Sequence, residues 1–219
     1  NRVAGILAKL NPKWTDEKLF QEARKIVIGE YQHIIFNEWL PILIGNKITK
    51  LYGLIPLNQD YFYRYDSKLY PHILNEFSTA AFRFGHTLVG TQFLKADSNY
   101  RAFDRTTIKE SIFNPITAFK KGGLESYLRG SLIDKAHAFD PNLNNHLSNH
   151  LFEGLNKDIP THRFSLPALN INRGRDHGLP GYNHYRTLCG LNYAKSFDEL
   201  YNIPRDVRDK LEDIYDHVN

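Results

Sequence analysis

The chain has 219 residues, 42% hydrophobic and 24% charged, and its 28 basic and 24 acidic residues leave a formal net charge of +4. This length and apolar content exclude a disordered chain, and the charges are scattered rather than gathered into the basic stripe that nucleic-acid binding demands. No apolar run approaches the ~20 residues of a membrane span and no signal peptide opens the chain; methionine is absent, and Cys189, the only cysteine, has no partner for an internal disulfide.

Val3, Ile6, Leu7 and Leu10 recur at helical spacing with no cap before them, as though the chain enters mid-helix. Thr15 can cap a long helix whose apolar positions Leu19, Phe20, Ala23, Ile26, Val27, Ile34 and Ile35 keep the helical period, ending near Pro41 or at latest by Gly45. Residues 46–70 mix Gly53, Pro56, Asn58, Asp60 and tyrosines without periodicity and read as loop. The stretch NEFSTAAFRFGHTLVGTQFL, Asn75 to Leu94, reads as a buried helix. Asn75 is its expected N-cap. Phe77, Ala80, Ala81, Phe84 and Leu88 line one face, and Phe82, Arg83, His86, Val89, Gly90 and Phe93 line another.

Ser98 to Asn114 is polar and irregular, with Arg101, Asp104 and Arg105 exposed. Gly122 and Gly123 precede a helix from Leu124 to Ala136 with Leu124, Tyr127, Leu128, Leu132 and Ala136 facing inward. Asp140 to Asn149 reads as loop, and Pro160 and Pro167 bracket an extended piece. A helix from about Pro167 to His177 follows, stopped by Gly178 and Pro180. Tyr182 to Cys189 is a short helix closed by Gly190, Ser196 with Glu199 matches a capping box, and Val207, Leu211, Ile214 and Tyr215 stripe a last helix from Pro204 to His217. Nothing alternates with period two. The expected class is mainly α, with little or no sheet, in one domain.

A lone histidine on an apolar face is more often a satisfied core residue than a ligand. Three features move His86 the other way. Arg83, one turn earlier, is a cation that rarely stays buried without an anion. Gly85 and Gly90 leave room beside the ring, at about 1 kcal/mol for a glycine inside a helix, and aromatic side chains surround it. A haem has an iron for the imidazole, a flat macrocycle for the gap and propionates for the arginine.

The second constellation is ALNINRGRDHGLPGYN, Ala168 to Asn183. Arg175, Asp176 and His177 read as an ion-paired turn. Asn170 and Arg173 are three apart and share a helix face; an asparagine there can accept the proton on the far nitrogen of a ligating histidine, fixing its tautomer. The zinc signature His-Glu-x-x-His, paired cysteines, a glycine-rich phosphate loop and the Gly-x-Ser-x-Gly elbow are all missing. Cys189 reads as a disulfide half or a buried thiol, and His33, His137, His146, His150 and His162 as surface or capping residues.

Together these segments resemble the animal haem peroxidase family. ARKIVIGEYQHIIFNEWLPILIG at Ala23 to Gly45 is similar to the family's long helix, EFSTAAFRFGHTL at Glu76 to Leu88 to its proximal helix, and LNINRGRDHGLPGYN at Leu169 to Asn183 to its most recognisable segment. Asn172 stands where glutamine is commoner and Phe36 where tyrosine is commoner. The resemblance implies that His86 is the proximal ligand of a haem b iron, that Asn170 hydrogen-bonds it, and that Arg83, with Arg173 as a second arginine, pairs with the haem propionates.

In the family the distal histidine and arginine, the acidic residues that attach the haem covalently and the calcium loop all precede the segment resembling Asn1-Arg2, and the partner of Cys189 follows Asn219. The expectation is therefore one partial domain over 1–219, truncated at both ends, carrying no distal catalytic residue and giving no turnover by itself. Its parent would be an extracellular peroxidase that reduces hydrogen peroxide and oxidises a halide or a phenolic or tyrosyl donor. Two rivals stand beside this: a peroxidase-like adhesion or matrix module with lost or secondary catalysis, and a plain helical domain with a buried histidine.

Overall fold

The computed structural model describes residues 1–63, 65–153 and 163–219. Pro160 and His162 lie outside them. The chain forms two compact units, Asn1–Tyr70 and Pro71–Asn219.

The first unit contains α1 (Arg2–Leu10) and α2 (Asp16–Ile34). Thr15 caps α2 as expected, its hydroxyl accepting from the Lys18 amide at 3.3 Å, with Asp16 and Glu17 placed where the helix dipole favours negative charge. The helix does not stop at Ile34. It widens into a π turn, Ile35–Trp39, and continues as α3 (Leu40–Ile44). Pro41 has no N–H for the carbonyl one turn back and its ring crowds that turn, which accounts for the wider register before it. Gly45, at φ +81°, ends the run. A further helix, α4 (Asn46–Leu51), occupies the beginning of the stretch expected to be loop. Buried Thr49 holds it by donating to the carbonyls of Gly45 and Asn46 at 3.2 and 3.0 Å.

The second unit opens with α5 (Asn75–Thr79). The single buried helix expected over Asn75 to Leu94 is three pieces. After α5, Ala80 at φ −127° breaks the α geometry, and Ala81–Leu88 is a 3₁₀ helix. Gln92–Ala96 then forms β1, antiparallel to β2 (Ala102–Thr107), with Gln92 opposite Thr107 and Lys95 opposite Asp104. The 3₁₀ helix is half-buried rather than internal: none of its residues is fully buried and Phe82 is 54% exposed. A hairpin was not foreseen because β2 alternates only briefly, in a stretch dominated by charge.

Chain order continues through α6 (Ile108–Ser111), α7 (Ile116–Phe119) and α8 (Gly123–Ile133). A capping box forms at Thr107 and Glu110, ahead of α6. The one expected at Ser196 does not form, because Glu199 accepts from the Lys195 amide at 2.9 Å instead. The inward face of α8 also differs from expectation. Leu124, Leu128 and Leu132 are exposed, while Ser126 and Gly130 are buried against β1. A β-carbon on Gly130 would lie 1.8 Å from the Leu94 carbonyl oxygen, so backbone approach, not aliphatic bulk, orients this helix.

The remaining elements are α9 (Asn145–Asn149), in a stretch expected to be loop, then α10 (Leu166–Asp176), α11 (Tyr182–Leu188) and α12 (Arg205–Ile214). Asn144 makes α9 possible by accepting from the Leu147 amide at 3.1 Å, while its side-chain NH₂ donates to the Val89 carbonyl at 2.8 Å. One core cluster joins Ile108, Leu147 and Leu151 to Val89, Leu166 and Leu169; a second joins Ala194, Phe197 and Leu200 to Ile203, Leu211 and Val218. The first ties the segment after the 3₁₀ helix to α10. Ile214, the last residue of α12, and Tyr215 just beyond it are exposed, so only part of the expected stripe is covered.

Glu153 is buried at 6% exposure and gathers two cations, Lys109 at 3.0 Å and Arg163 at 3.4 Å, and the His150 ring. His150 is therefore a hydrogen-bond partner of Glu153 rather than a simple surface or capping residue. The hydrogen bond from His150, followed by that from Lys109, holds the Glu153 carboxyl below its usual value of 4.5. A lowered folded-state value means that this contribution to stability is present above the usual carboxylate range and is lost as pH falls through it. Thermal melts from pH 7 to 3 are expected to show Glu153→Gln less stable at neutral pH and with a shallower acid decline than the unsubstituted protein. Gly130→Ala is expected to cost about 1–3 kcal/mol through overpacking, measured by denaturant unfolding.

Candidate functional site

His86 and Asn170 meet. The His86 Nδ1–H donates to the Asn170 side-chain oxygen at 2.7 Å, linking the 3₁₀ helix to α10. With its proton committed to Nδ1, a neutral imidazole presents the lone pair of Nε2, which has no hydrogen-bond partner among the described residues. The Asn170 NH₂ is buried with no partner among them either. The amide is thus oriented by its bond to His86 and by the helix that carries it.

The 3₁₀ geometry matters to the rest of the site. With about three residues per turn, side chains three apart eclipse, so Arg83 and His86 project in line along one edge. Arg83 is half-buried, its only bond there running from Nε to the Ser78 carbonyl at 3.4 Å. Among the described residues no carboxylate pairs with it, which leaves the guanidinium for an external anion. A β-carbon on Gly85 would meet open space, so the gap expected beside His86 is present there; Gly90, beyond the 3₁₀ helix, faces the His137 ring instead.

α10 forms where proline permits a helix start, with Pro167 in its first turn. It closes in a Schellman arrangement: Gly178, at φ +63°, allows the Leu179 amide to reach the Gly174 carbonyl at 3.0 Å and the Gly178 amide that of Arg175 at 3.0 Å. Arg173 shares α10 with Asn170, but its charge is taken up by Asp176 at 2.9 Å with both side chains exposed. The ion-paired turn expected of Arg175, Asp176 and His177 is instead an ion pair between Arg173 and Asp176, both within α10. His86 and Asn170 therefore meet, Arg83 lies one turn before His86 on the same 3₁₀ helix, and Arg173 is held by its own neighbour.

His177 was expected to be part of that turn. Its Nδ1–H donates to the Asn75 side-chain oxygen at 2.8 Å, and the Asn75 NH₂ donates to the His177 carbonyl at 3.4 Å. Asn75 is consequently not the N-cap of α5, whose N-cap position is Leu74. The spacing within each segment carried no sign of this pairing, which spans 102 positions. Cys189 is free and exposed, so it is not a buried thiol.

These observations meet a clear pattern in known proteins. A family model described as animal haem peroxidase matches residues 1–219. The chain is 41% identical over 215 residues to chorion peroxidase of Drosophila melanogaster, covering 98% of the chain and 26% of that protein. It is 37% identical to the human peroxidasin homolog, covering 98% of the chain and 14% of that protein. Against lactoperoxidase of Mesocricetus auratus it is 39% identical, covering 98% of the chain and 30% of that protein. The solved structure of peroxidase A from Dictyostelium discoideum superposes with a TM-score of 0.78 at 31% identity, covering 100% of this chain and 39% of that one. The chain belongs to the animal haem peroxidase family, and it spans less than a third of the length of these curated relatives.

Proposed function

We propose that this member of the animal haem peroxidase family supplies the proximal side of a haem pocket, with His86 as the iron ligand. The observation that carries the reading is the His86–Asn170 bond, because the Asn170 oxygen engages Nδ1 and leaves Nε2, on the far side of the ring, without a partner among the described residues. Bound haem b would supply the iron at which hydrogen peroxide is reduced at the expense of a halide or a phenolic or tyrosyl donor. What this chain contributes is placement and charge. Asn170 keeps the proton on Nδ1, fixes the ring plane and makes Nε2 more basic. Arg83, in line with His86 and without an ion-pair partner among the described residues, is suited to a propionate by charge-assisted hydrogen bonding. Arg173 reaches a second propionate only by leaving Asp176.

On this reading residues 1–219 are one part of a larger peroxidase domain. The distal acid-base residues, any covalent attachment of the haem and any calcium site belong to the rest of the protein, which is taken to act outside the cell. No helix among the described residues is long and apolar enough to cross a membrane. The exposed aromatic face at Phe77 and Phe82, whose rings stack with centroids 5.0 Å apart, fits a surface that the larger domain covers.

In the full-length protein, His86→Ala is expected to abolish the Soret band of bound haem after reconstitution; a retained, unshifted band sinks the ligand assignment. Asn170→Ala is expected to retain haem while lowering turnover by about 10- to 100-fold. Steady-state peroxidase assays at saturating peroxide check this, and wild-type turnover would remove the role given to the amide.

A further inference from the structure

We infer that Asn75, Thr79 and His177 form a clasp that positions Asn170 behind His86, an inference that rests on the haem-ligand reading above only for its spectroscopic readout. The Asn170 amide has a single hydrogen bond, to His86, and its NH₂ is buried without a partner among the described residues. Nothing local therefore fixes where the amide sits, and the 2.7 Å contact depends on how α10 is set against the α5 and 3₁₀ segment. A shift of about one ångström in that setting would take the pair outside hydrogen-bonding range.

Two kinds of contact fix the setting. Leu166 and Leu169, on α10, and Val89 pack against the same buried cluster of Ile108, Leu147 and Leu151, which holds the helix at one side. The clasp holds its end. His177 is seven residues, or about two turns, beyond Asn170, so both lie close to one face of the helix line. His177 donates to the Asn75 oxygen at 2.8 Å, Thr79 donates to the same oxygen at 3.2 Å, and the Asn75 NH₂ returns to the His177 carbonyl at 3.4 Å. Thr79 is 3% exposed and sits 3.4 Å from the His177 ring nitrogen, so the clasp has one buried member beneath the exposed Asn75 and His177. The Schellman closure at Gly178 fixes the His177 backbone, whose carbonyl accepts from Asn75 and which carries the ring that donates back. Asn75 and His86 belong to one continuous segment, as do Asn170 and His177, so the pairings are two rungs between the same rails. Asn75, Thr79 and His177 are positioning residues; none touches the proposed iron site.

The test uses the full-length protein in haem-loaded and haem-free forms. In resonance Raman spectra of the ferrous protein, His177→Ala and Thr79→Val are expected to shift the iron–imidazole stretch in the direction produced by Asn170→Ala. The double variant Asn170→Ala/His177→Ala should shift it no further. His177→Asn, which restores a donor near the position of Nδ1, should return it towards the wild-type frequency. In the haem-free protein, exchange of the His86 Nδ1 proton by NMR is expected to be up to about tenfold faster in His177→Ala. If both variants lower thermal stability while leaving the stretch and the exchange rate at wild-type values, the clasp is only a structural brace and the inference is overturned. If the wild type itself shows no iron–imidazole mode, the haem-ligand reading fails, and the haem-free exchange rate alone decides the clasp: faster exchange supports it and unchanged exchange overturns it.

Discussion

The hydrogen bond between His86 and Asn170 is the constraint on which the arrangement depends. It joins residues 84 positions apart, through one proton and one amide oxygen, and it requires two helices of different kinds to meet at a set distance. Much of the second unit can be read as the means of meeting that requirement. Val89, Leu166 and Leu169 bring the segments together apolar side first, Asn144 ties the carbonyls of Val89 and Gly90 to α9, and the Gly178 turn stops α10 where its last side chain can still reach Asn75. A single hydrogen bond contributes only about 1 kcal/mol net. It does not hold these elements in place; they hold it.

The sequence was informative wherever a local rule decided the outcome. Thr15 before a periodic run, Pro167 before another and Gly178 after it each act within one or two turns, and each marks a boundary where expected. The pairing of His86 with Asn170 came from a different source. Spacing made an asparagine partner possible; the family resemblance named it.

What was not legible has two physical causes. The π turn before Pro41 answers a defect in the hydrogen-bond ladder, and the 3₁₀ course from Ala81 follows a backbone break at Ala80, neither of which hydrophobic period registers. Leu124, Leu128 and Leu132 suggested the buried side of α8, yet the absence of a side chain at Gly130 let β1 approach there. Asn75 carried the chemistry of a cap but spent its oxygen on His177, because a partner from a distant segment offered a ring N–H at 2.8 Å. The last two are contests between local propensity and tertiary contact, and a one-dimensional pattern records only one contestant. Arg173 is a milder case: an exposed arginine with an aspartate three residues on, in the same helix, has its counter-ion supplied before any other anion arrives.

The partner behind His86 is an amide, and that fixes a proton inventory. A carboxylate in the same place could draw the Nδ1 proton towards itself and leave the ring with imidazolate character, trading charge with whatever Nε2 holds. An amide oxygen is too weak a base to take the proton, so it accepts the Nδ1–H without removing it. A change of charge near the ring then acts on the surrounding dipoles and on Arg83, whose guanidinium has no carboxylate partner among the described residues, rather than on proton movement behind the ring.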